Sequence, residues 1–325
     1  MLYCRVEQRR SLTISPTVRN FTTNDVDAWV GFINQVTNAA REGKAMTALR
    51  LREWLEQPNC HPEEDMFLAV LAGEMAGYGT LFREMEIGRA ILGGCIHPGN
   101  RRQGIGSSLL TKLLDHARGL GAPVAHVRIP HRMKVAKAFF QRHGFEVVHE
   151  EWEMRLELRA GRGPAELPLG FGHRPFRPGD ELTLTEIQNL TFAGSWGFRA
   201  NSVEEISHWT GVTSPGSWGI ALITEGDRVV GYCWGGAYGA VLPGPHGGKG
   251  RIFMMGVLPQ YRDRGLGRAA LAVGLDRLGA LGIQTVELTV HSQNRSAVGL
   301  YKSAGFKKKA VTLWYQRDLG SGPPY

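Results

Sequence analysis

Val257-Leu258-Pro259-Gln260-Tyr261-Arg262-Asp263-Arg264-Gly265-Leu266-Gly267 restates an earlier stretch, Ile96-His97-Pro98-Gly99-Asn100-Arg101-Arg102-Gln103-Gly104-Ile105-Gly106. Arg262 falls on Arg101, Gly265 on Gly104 and Gly267 on Gly106, each at an offset of 161 residues. In both copies an apolar strand precedes a proline, an Arg-x-x-Gly-x-Gly loop and an amphipathic helix. A fixed offset over such a pattern marks the duplication of a whole domain.

The duplicated loop has a chemistry. Gly265 and Gly267 lack a Cβ, so a ligand can approach their backbone closely. They open a helix, where unpaired N–H groups and the positive end of the helix dipole face outward. That combination holds phosphate. Arg262, Arg264 and Arg268 add full positive charge, with Asp263 and Leu266 completing the loop. The first copy offers Ile96, Arg101, Arg102, Gln103, Gly104, Ile105, Gly106 and Ser107.

Working outward, the two halves run in the same order. Val18–Phe21 and His173–Phe176 open as short strands, each followed by a helix starting near an acid, Asp25 or Asp180. Periodicity predicts helices over 26–39 and 45–56, and over 182–192 and 203–210. A hairpin follows in the second half, 218–223 and 229–232, around Glu225-Gly226-Asp227. A strand over 252–257 leads into the loop, and the helix beginning near Arg264 carries the stripe Leu271, Leu275, Leu278. The strand 286–290, a helix from Asn294 to Ser303 and final strands from Gly305-Phe306 complete the half. The Gly- and Pro-rich stretch after the alternating strand 152–158 separates the two halves. The expected organisation is a first domain 1–160, a linker 161–171 and a second domain 172–325. The fold class is α/β (α+β): two tandem domains, each a mixed, mainly antiparallel sheet flanked by helices, parallel only at the strand-helix-strand piece around the loop.

Composition sets the limits. The 325 residues suffice for two cores. No apolar run is long enough to span a membrane, and residues 1–16 lack the apolar segment of a secretory signal. Cys4, Cys60, Cys95 and Cys233 form no metal-binding or disulfide spacing, so no metal is expected and a reducing cytoplasm is. The net charge of +8 suits a polyanionic ligand. Without an aromatic-plus-basic module, a nucleic acid partner is not expected. Oligomeric state stays open between monomer and homodimer.

Gly265-Leu266-Gly267-Arg268-Ala269-Ala270 also fits a dinucleotide fingerprint, with Glu287 as ribose ligand. Three features weigh against it. Seven residues separate the strand from Gly265, the first copy breaks the pattern at Leu109, and it has His126 where the acid belongs.

Pro259, the Arg262-x-x-Gly265-x-Gly267 loop with its helix, and Asn294-x-x-Ala297-x-x-Leu300-Tyr301-x-x-x-Gly305-Phe306 together resemble the GNAT superfamily of acyl-CoA-dependent N-acyltransferases. The resemblance covers most of 172–317 and, more weakly, 17–158. It implies two GNAT-like domains, acetyl-CoA (coenzyme A) as cofactor, and transfer of an acetyl group to the primary amine of a small molecule by direct attack. It also implies roles. The loop amides hold the diphosphate, Val257 contributes backbone contacts to the pantetheine arm, Asn294 touches that arm, and Tyr301 protonates the departing thiolate. In the first half, Phe140 and Met133 stand where Tyr301 and Asn294 stand in the second, so catalysis is expected in the second half alone. Arg251 and Thr289 occupy positions where relatives often carry a glutamate base, leaving His291 and Glu287 as candidate bases. Trp196, Phe198, Glu204, Glu205, His208, Trp209 and Trp234 are candidates for the acceptor side, and the 242–250 segment for a lid. A tandem pair with one equipped domain, and Phe192-Ala193-Gly194 after the first helix of the second half, resemble the mycothiol synthase branch, whose acceptor is an amino sugar–cysteine conjugate. Acetylation of a protein or peptide and non-catalytic CoA binding are the competing readings.

Overall fold

A computed structural model describes residues 16–37, 45–158, 165–211, 219–237 and 248–320. The first repeat comprises β1 (Thr17–Asn20), α1 (Val26–Thr37), α2 (Ala48–Leu55), α3 (Pro62–Asp65), β2 (Met66–Leu71), β3 (Glu74–Glu84), β4 (Arg89–Ile96), α4 (Ile105–Gly119), β5 (Val124–Pro130), α5 (Lys134–Arg142) and β6 (Glu146–Glu157). The second comprises β7 (Phe171–Pro175), α6 (Glu181–Phe192), α7 (Val203–Gly211), β8 (Gly219–Glu225), β9 (Arg228–Ala237), β10 (Gly248–Val257), α8 (Leu266–Ala280), β11 (Ile283–His291), α9 (Arg295–Ser303) and β12 (Lys307–Asp318). Apart from α3, element answers element.

The duplication extends to single interactions. Arg19 pairs with Asp25 at 2.6 Å where the first helical segment begins, and Arg174 pairs with Asp180 at the same distance and spacing. Such a carboxylate also accepts backbone N–H groups that open a helix, from Thr22 and from Arg177 at 2.8 Å each. The stripe anticipated on α8 is buried as expected: Leu271, Leu275 and Leu278 sit in the core beneath β9 and β10. α4 repeats this with Leu109, Leu110, Leu113 and Leu114.

All twelve strands form one sheet, in the order β1-β2-β3-β4-β5-β12-β6-β11-β10-β9-β8-β7. Pairing is antiparallel except at β4–β5 and β10–β11, the strands flanking each loop helix. The order holds one feature that the sequence does not announce. β12, the last strand of the second repeat, pairs with β5 of the first, while β6, the last strand of the first, pairs with β11 of the second. The repeats exchange their final strands, and β6 and β12 lie side by side at the pseudo-twofold axis. Both are twelve-residue strands that end equivalent repeats, and neither sequence marks which neighbour it takes.

Several boundaries differ from expectation by a few residues. β10 begins at Gly248 rather than Ile252, and α8 begins at Leu266 because Gly265 turns the chain at its N-cap. Trp218, Ala39, linker residues 161–164 and most of the anticipated lid, 242–247, lie outside the described residues. Gly248–Gly250 of that lid belong to β10.

Candidate active site

Two features of the second repeat create a site at the C-terminal ends of β10 and β11. The first is a wedge. The parallel ladder between them runs only to Ile252↔Leu288, leaving Phe253–Val257 and Thr289–His291 without ladder bonds to one another. β10 also has a register shift between Ile252 and Met254 on its other side. A bulge re-aims the strand there. Two facing strand edges with unpaired N–H and C=O groups can accept an extended, amide-bearing chain between them. The second feature is the loop. Pro259 starts a 3-10 turn ending at Tyr261, whose hydroxyl donates to Glu225 at 2.7 Å. Asp263 (φ 61°) and Gly265 (φ 77°) then take left-handed backbone and swing the chain into α8. Leu266 and Gly267 are the first residues of that helix, and the first N–H bonded within it is that of Arg268, to Gly265 O at 3.1 Å. The amides of Leu266 and Gly267 lie ahead of it, at the open start of the helix. Arg262, Asp263, Arg264 and Arg268 are exposed around it. Arg262 also anchors to Thr191 O at 2.9 Å, and Arg264 lies 5.2 Å over the Tyr261 ring.

α9 packs against the start of α8. Leu300 packs where a Cβ on Gly267 would stand, 3.6 Å away. Tyr301 is buried, edge-on to Phe306 at 5.8 Å. Burial, reinforced by Cys233, pushes its phenol well up from the ordinary tyrosine value, so it keeps its proton. Cys233 and Tyr232 lie across from Met255 and Gly256, in the splayed part of β10. Tyr232 is fully buried, and its hydroxyl has no partner among the described residues. A buried donor left over beside the wedge is what a site built for a polar guest leaves behind. The unpaired strand edges, the helix-start amides, the arginines and these two phenols fit acetyl-CoA.

The other expected residues are placed as follows. Val257 ends β10 at the wedge. Asn294 caps α9, its side-chain oxygen accepting from Ala297 N at 3.1 Å. His291 is half-buried at the open end of β11, 3.5 Å from a Glu151 oxygen. Glu287 is engaged elsewhere: Arg155 holds it at 2.5 and 2.9 Å, which also removes the ribose ligand of the dinucleotide alternative. Arg251 donates to Thr289 Oγ1, so these two residues hydrogen-bond one another.

On the acceptor side, Trp234 is buried beside the bulge, opposite Met254. Glu204 is exposed on the first turn of α7 and His208 is half-buried one turn on; no contact among the described residues ties either to the wedge. Glu205 is buried and paired with Arg199, and Asn59 of the first repeat donates to it at 3.3 Å. Trp209 likewise reaches Gln57 at 3.4 Å. Trp196 departs most from expectation. It leans onto the seam between repeats, stacked on His149 at 4.1 Å with 7° between planes, and edge-on to Trp314 and His126. Arg89 of β4 holds this loop through Gly197 O at 3.0 Å and lies 5.5 Å over the indole.

The sequence gives no sign of this seam cluster, which also includes Glu151. Its members come from β4, β5, β6, β11, β12 and the loop after α6, and only the strand exchange brings them together.

The first repeat has the same frame with different fittings. Its β4–β5 ladder stops at Leu92↔Val127, and Arg102 and Gly104 have positive φ at the same two loop positions. Arg101, Arg102, Gln103, Gly104 and Ser107 are exposed, while Ile105 is buried. Arg101 reaches back to Ile96 O at 3.4 Å. Ser107 lies 3.4 Å from His143, and Phe139 packs 3.5 Å from where a Gly106 Cβ would be. Phe140, in the place of Tyr301, packs edge-on against Phe139 and Phe145 and has no proton to give.

The comparisons agree with this fold. The model of the acetyltransferase (GNAT) family matches residues 32–145 and 182–306, stopping before each exchanged strand. A mycothiol acetyltransferase of Geodermatophilus obscurus is 33% identical over 263 residues, covering 78% of this chain and 82% of that protein. One from Thermobispora bispora is 30% identical over 290 residues, 87% and 94% of the two chains. Among solved structures, a GCN5-related N-acetyltransferase from Sphaerobacter thermophilus superposes with a TM-score of 0.71 at 23% identity, over 95% and 98% of the chains. A tandem GNAT protein from the clavulanic acid biosynthesis pathway gives 0.71 at 16% identity, over 94% and 99%. With a duplicated loop, a duplicated wedge and two matches to the family model, this chain belongs to the GNAT family of acetyltransferases.

Proposed function

We propose that the second repeat, residues 172–325, acetylates the primary amine of a small acceptor, an amino sugar–cysteine conjugate of the mycothiol type, with His291 as base and Tyr301 as acid. The observation that supports this reading is that His291 ends β11 beyond the last β10–β11 ladder pair and buried Tyr301 lies on α9, whose Leu300 packs against Gly267 of the loop helix, while Pro130 and Phe140 stand at the equivalent positions of the first repeat. Acetyl-CoA supplies an activated acyl thioester. The amides of Leu266 and Gly267, with Arg262, Arg264 and Arg268, grip its diphosphate, and the free edge of β10 from Phe253 to Val257 orients its arm. His291 takes the proton from the attacking amine, and Tyr301 gives one to the leaving sulfur. Tyr232 and Trp234 wall the reacting centre and exclude water. The first repeat holds CoA at most as a supporting ligand, through Arg101, Arg102 and the Gly104–Ser107 helix start.

The acceptor class is supported by the names of the relatives that cover most of this chain. A different small amine is the second reading, favoured by Arg251 and Thr289 in the positions where relatives often carry a glutamate. A small soluble acceptor agrees with a cytoplasmic setting. Among the described residues no helix is long and apolar enough to cross a membrane, and Cys60, Cys95 and Cys233 are unpaired.

Thiol release from acetyl-CoA with a panel of amines tests this reading. Wild-type protein favours N-cysteinyl glucosamine over lysyl peptides, and Tyr301→Phe lowers kcat by roughly 100-fold while CoA binding persists. A peptide preference, or a Tyr301→Phe rate within twofold of wild type, contradicts it.

A further inference from the structure

The sheet exchange places a carboxylate of the first repeat against the second repeat's wedge. Glu151, on β6, is the cross-strand partner of His291 on β11. It is 6% exposed. One carboxylate oxygen is held by Arg128 of β5 at 2.6 Å, and the other faces His291 Nε2 at 3.5 Å. Burial works against its charge, but His291 and Arg128 more than offset this and hold the carboxyl down at about 2. Arg128 is fixed in turn over the Trp314 ring at 5.2 Å. The imidazole of His291 is further confined by His149, edge-on at 4.5 Å, which is itself stacked on Trp196.

The pseudo-symmetry provides an internal control. The residues 161 positions from His291 and Glu151 are Pro130 and Thr312. These two also face one another, on β5 and the exchanged β12, and Thr312 lies directly across from Glu151 at the axis. The frame is therefore present twice, but at this cross-strand position an imidazole faces a carboxylate only beside the wedge that also has Tyr301.

We propose that Glu151 is a positioning residue for the second repeat's reaction, fixing His291 so that Nε2 carries a proton toward the carboxylate and Nδ1 is left to receive the amine proton. This rests on His291 being the base. In the step served, the amine nitrogen bonds to the acyl carbon and the carbon–sulfur bond breaks. The amine proton passes to His291 Nδ1, and the thiolate takes its proton from Tyr301. The carboxylate stays ionised throughout, as the orienting acid of a catalytic triad does. A repeat without its own acid–base pair is then required because it supplies one half of the dyad.

The test is steady-state thiol release with N-cysteinyl glucosamine for Glu151→Gln, Glu151→Asp, His291→Gln and the Glu151→Gln/His291→Gln double variant, alongside calorimetric binding of CoA. Glu151→Gln is expected to lower kcat by roughly tenfold to a hundredfold, with the KM for acetyl-CoA within twofold of wild type. Glu151→Asp recovers part of the loss, and the double variant is no slower than His291→Gln, because the carboxylate acts only through the imidazole. A Glu151→Gln kcat within twofold of wild type, beside an impaired His291→Gln, overturns the proposal and leaves the base assignment standing. An unimpaired His291→Gln overturns the base assignment beneath it. Loss of CoA binding in both Glu151 variants assigns the residue to holding the seam together and also overturns the proposal.

Discussion

His126 shows how much one side chain at the seam carries. It lies on β5, 5% exposed, between Trp196 and Trp314. Among the described residues neither ring nitrogen has a partner at hydrogen-bond geometry, though Gln316 lies alongside. Burial first, and then the positive charge of Arg89, lower it from 6.5 to about 4. Between those values the unfolded chain binds a proton that the folded one refuses, so stability is lost as pH falls from 6.5 toward 4. The loss is at most about 3 kcal/mol. Urea unfolding of His126→Leu should therefore vary less with pH over that window than the wild type does; equal pH slopes would contradict this. Glu151 acts lower: its stabilisation, present above about 4.5, fades as pH falls toward 2. Single residues are unequally legible in the sequence. Gly265 and Gly104 can be placed from it because only one geometry makes sense of Arg-x-x-Gly-x-Gly before a helix. Glu151, His149 and Trp314 cannot, because their neighbours are set by register between distant strands. Glu287 misleads for the same reason: its partner, Arg155, sits on a strand of the other repeat.

At the scale of elements, helix-to-sheet distance decides where the wedge stands. α8 lies close on β9 because Gly274 has no side chain; a Cβ there would come within 2.3 Å of Cys233 Sγ and 3.5 Å of Ile252. Gly274→Ala should cost about 1–3 kcal/mol by overpacking. It should also weaken CoA binding, since lifting α8 moves its first amides from the end of β10. Chemical denaturation and calorimetry check both; unchanged stability would mean that α8 is not seated by this contact. Most elements are legible in the amino-acid pattern alone. The apolar stripe of α8, the hairpin β8–β9 and the N-cap Asn294 follow from local chemistry. The starts of β10 and α8 are less so, because Gly248–Gly250 have no strand signal and the loop arginines blur into the helix.

At the scale of the whole molecule, twelve strands in one sheet and two exchanged ends join the repeats into a single sheet. The repeat itself is plain from a constant offset, and so is the asymmetry of Tyr301 against Phe140. The exchange is not, since β6 and β12 hold equivalent places in the two repeats and a choice between equivalent partners leaves no trace in periodicity. The central claim is that helix-start amides and the β10–β11 wedge of the second repeat together hold acetyl-CoA with its sulfur at Tyr301. A crystal structure of the protein with acetyl-CoA tests it most directly. The diphosphate should lie within hydrogen-bond distance of the Leu266 and Gly267 N–H groups, with the thioester between β10 and β11 beside Tyr301 Oη. A diphosphate bound only at the start of α4, or a thioester lying outside the β10–β11 wedge, would contradict it.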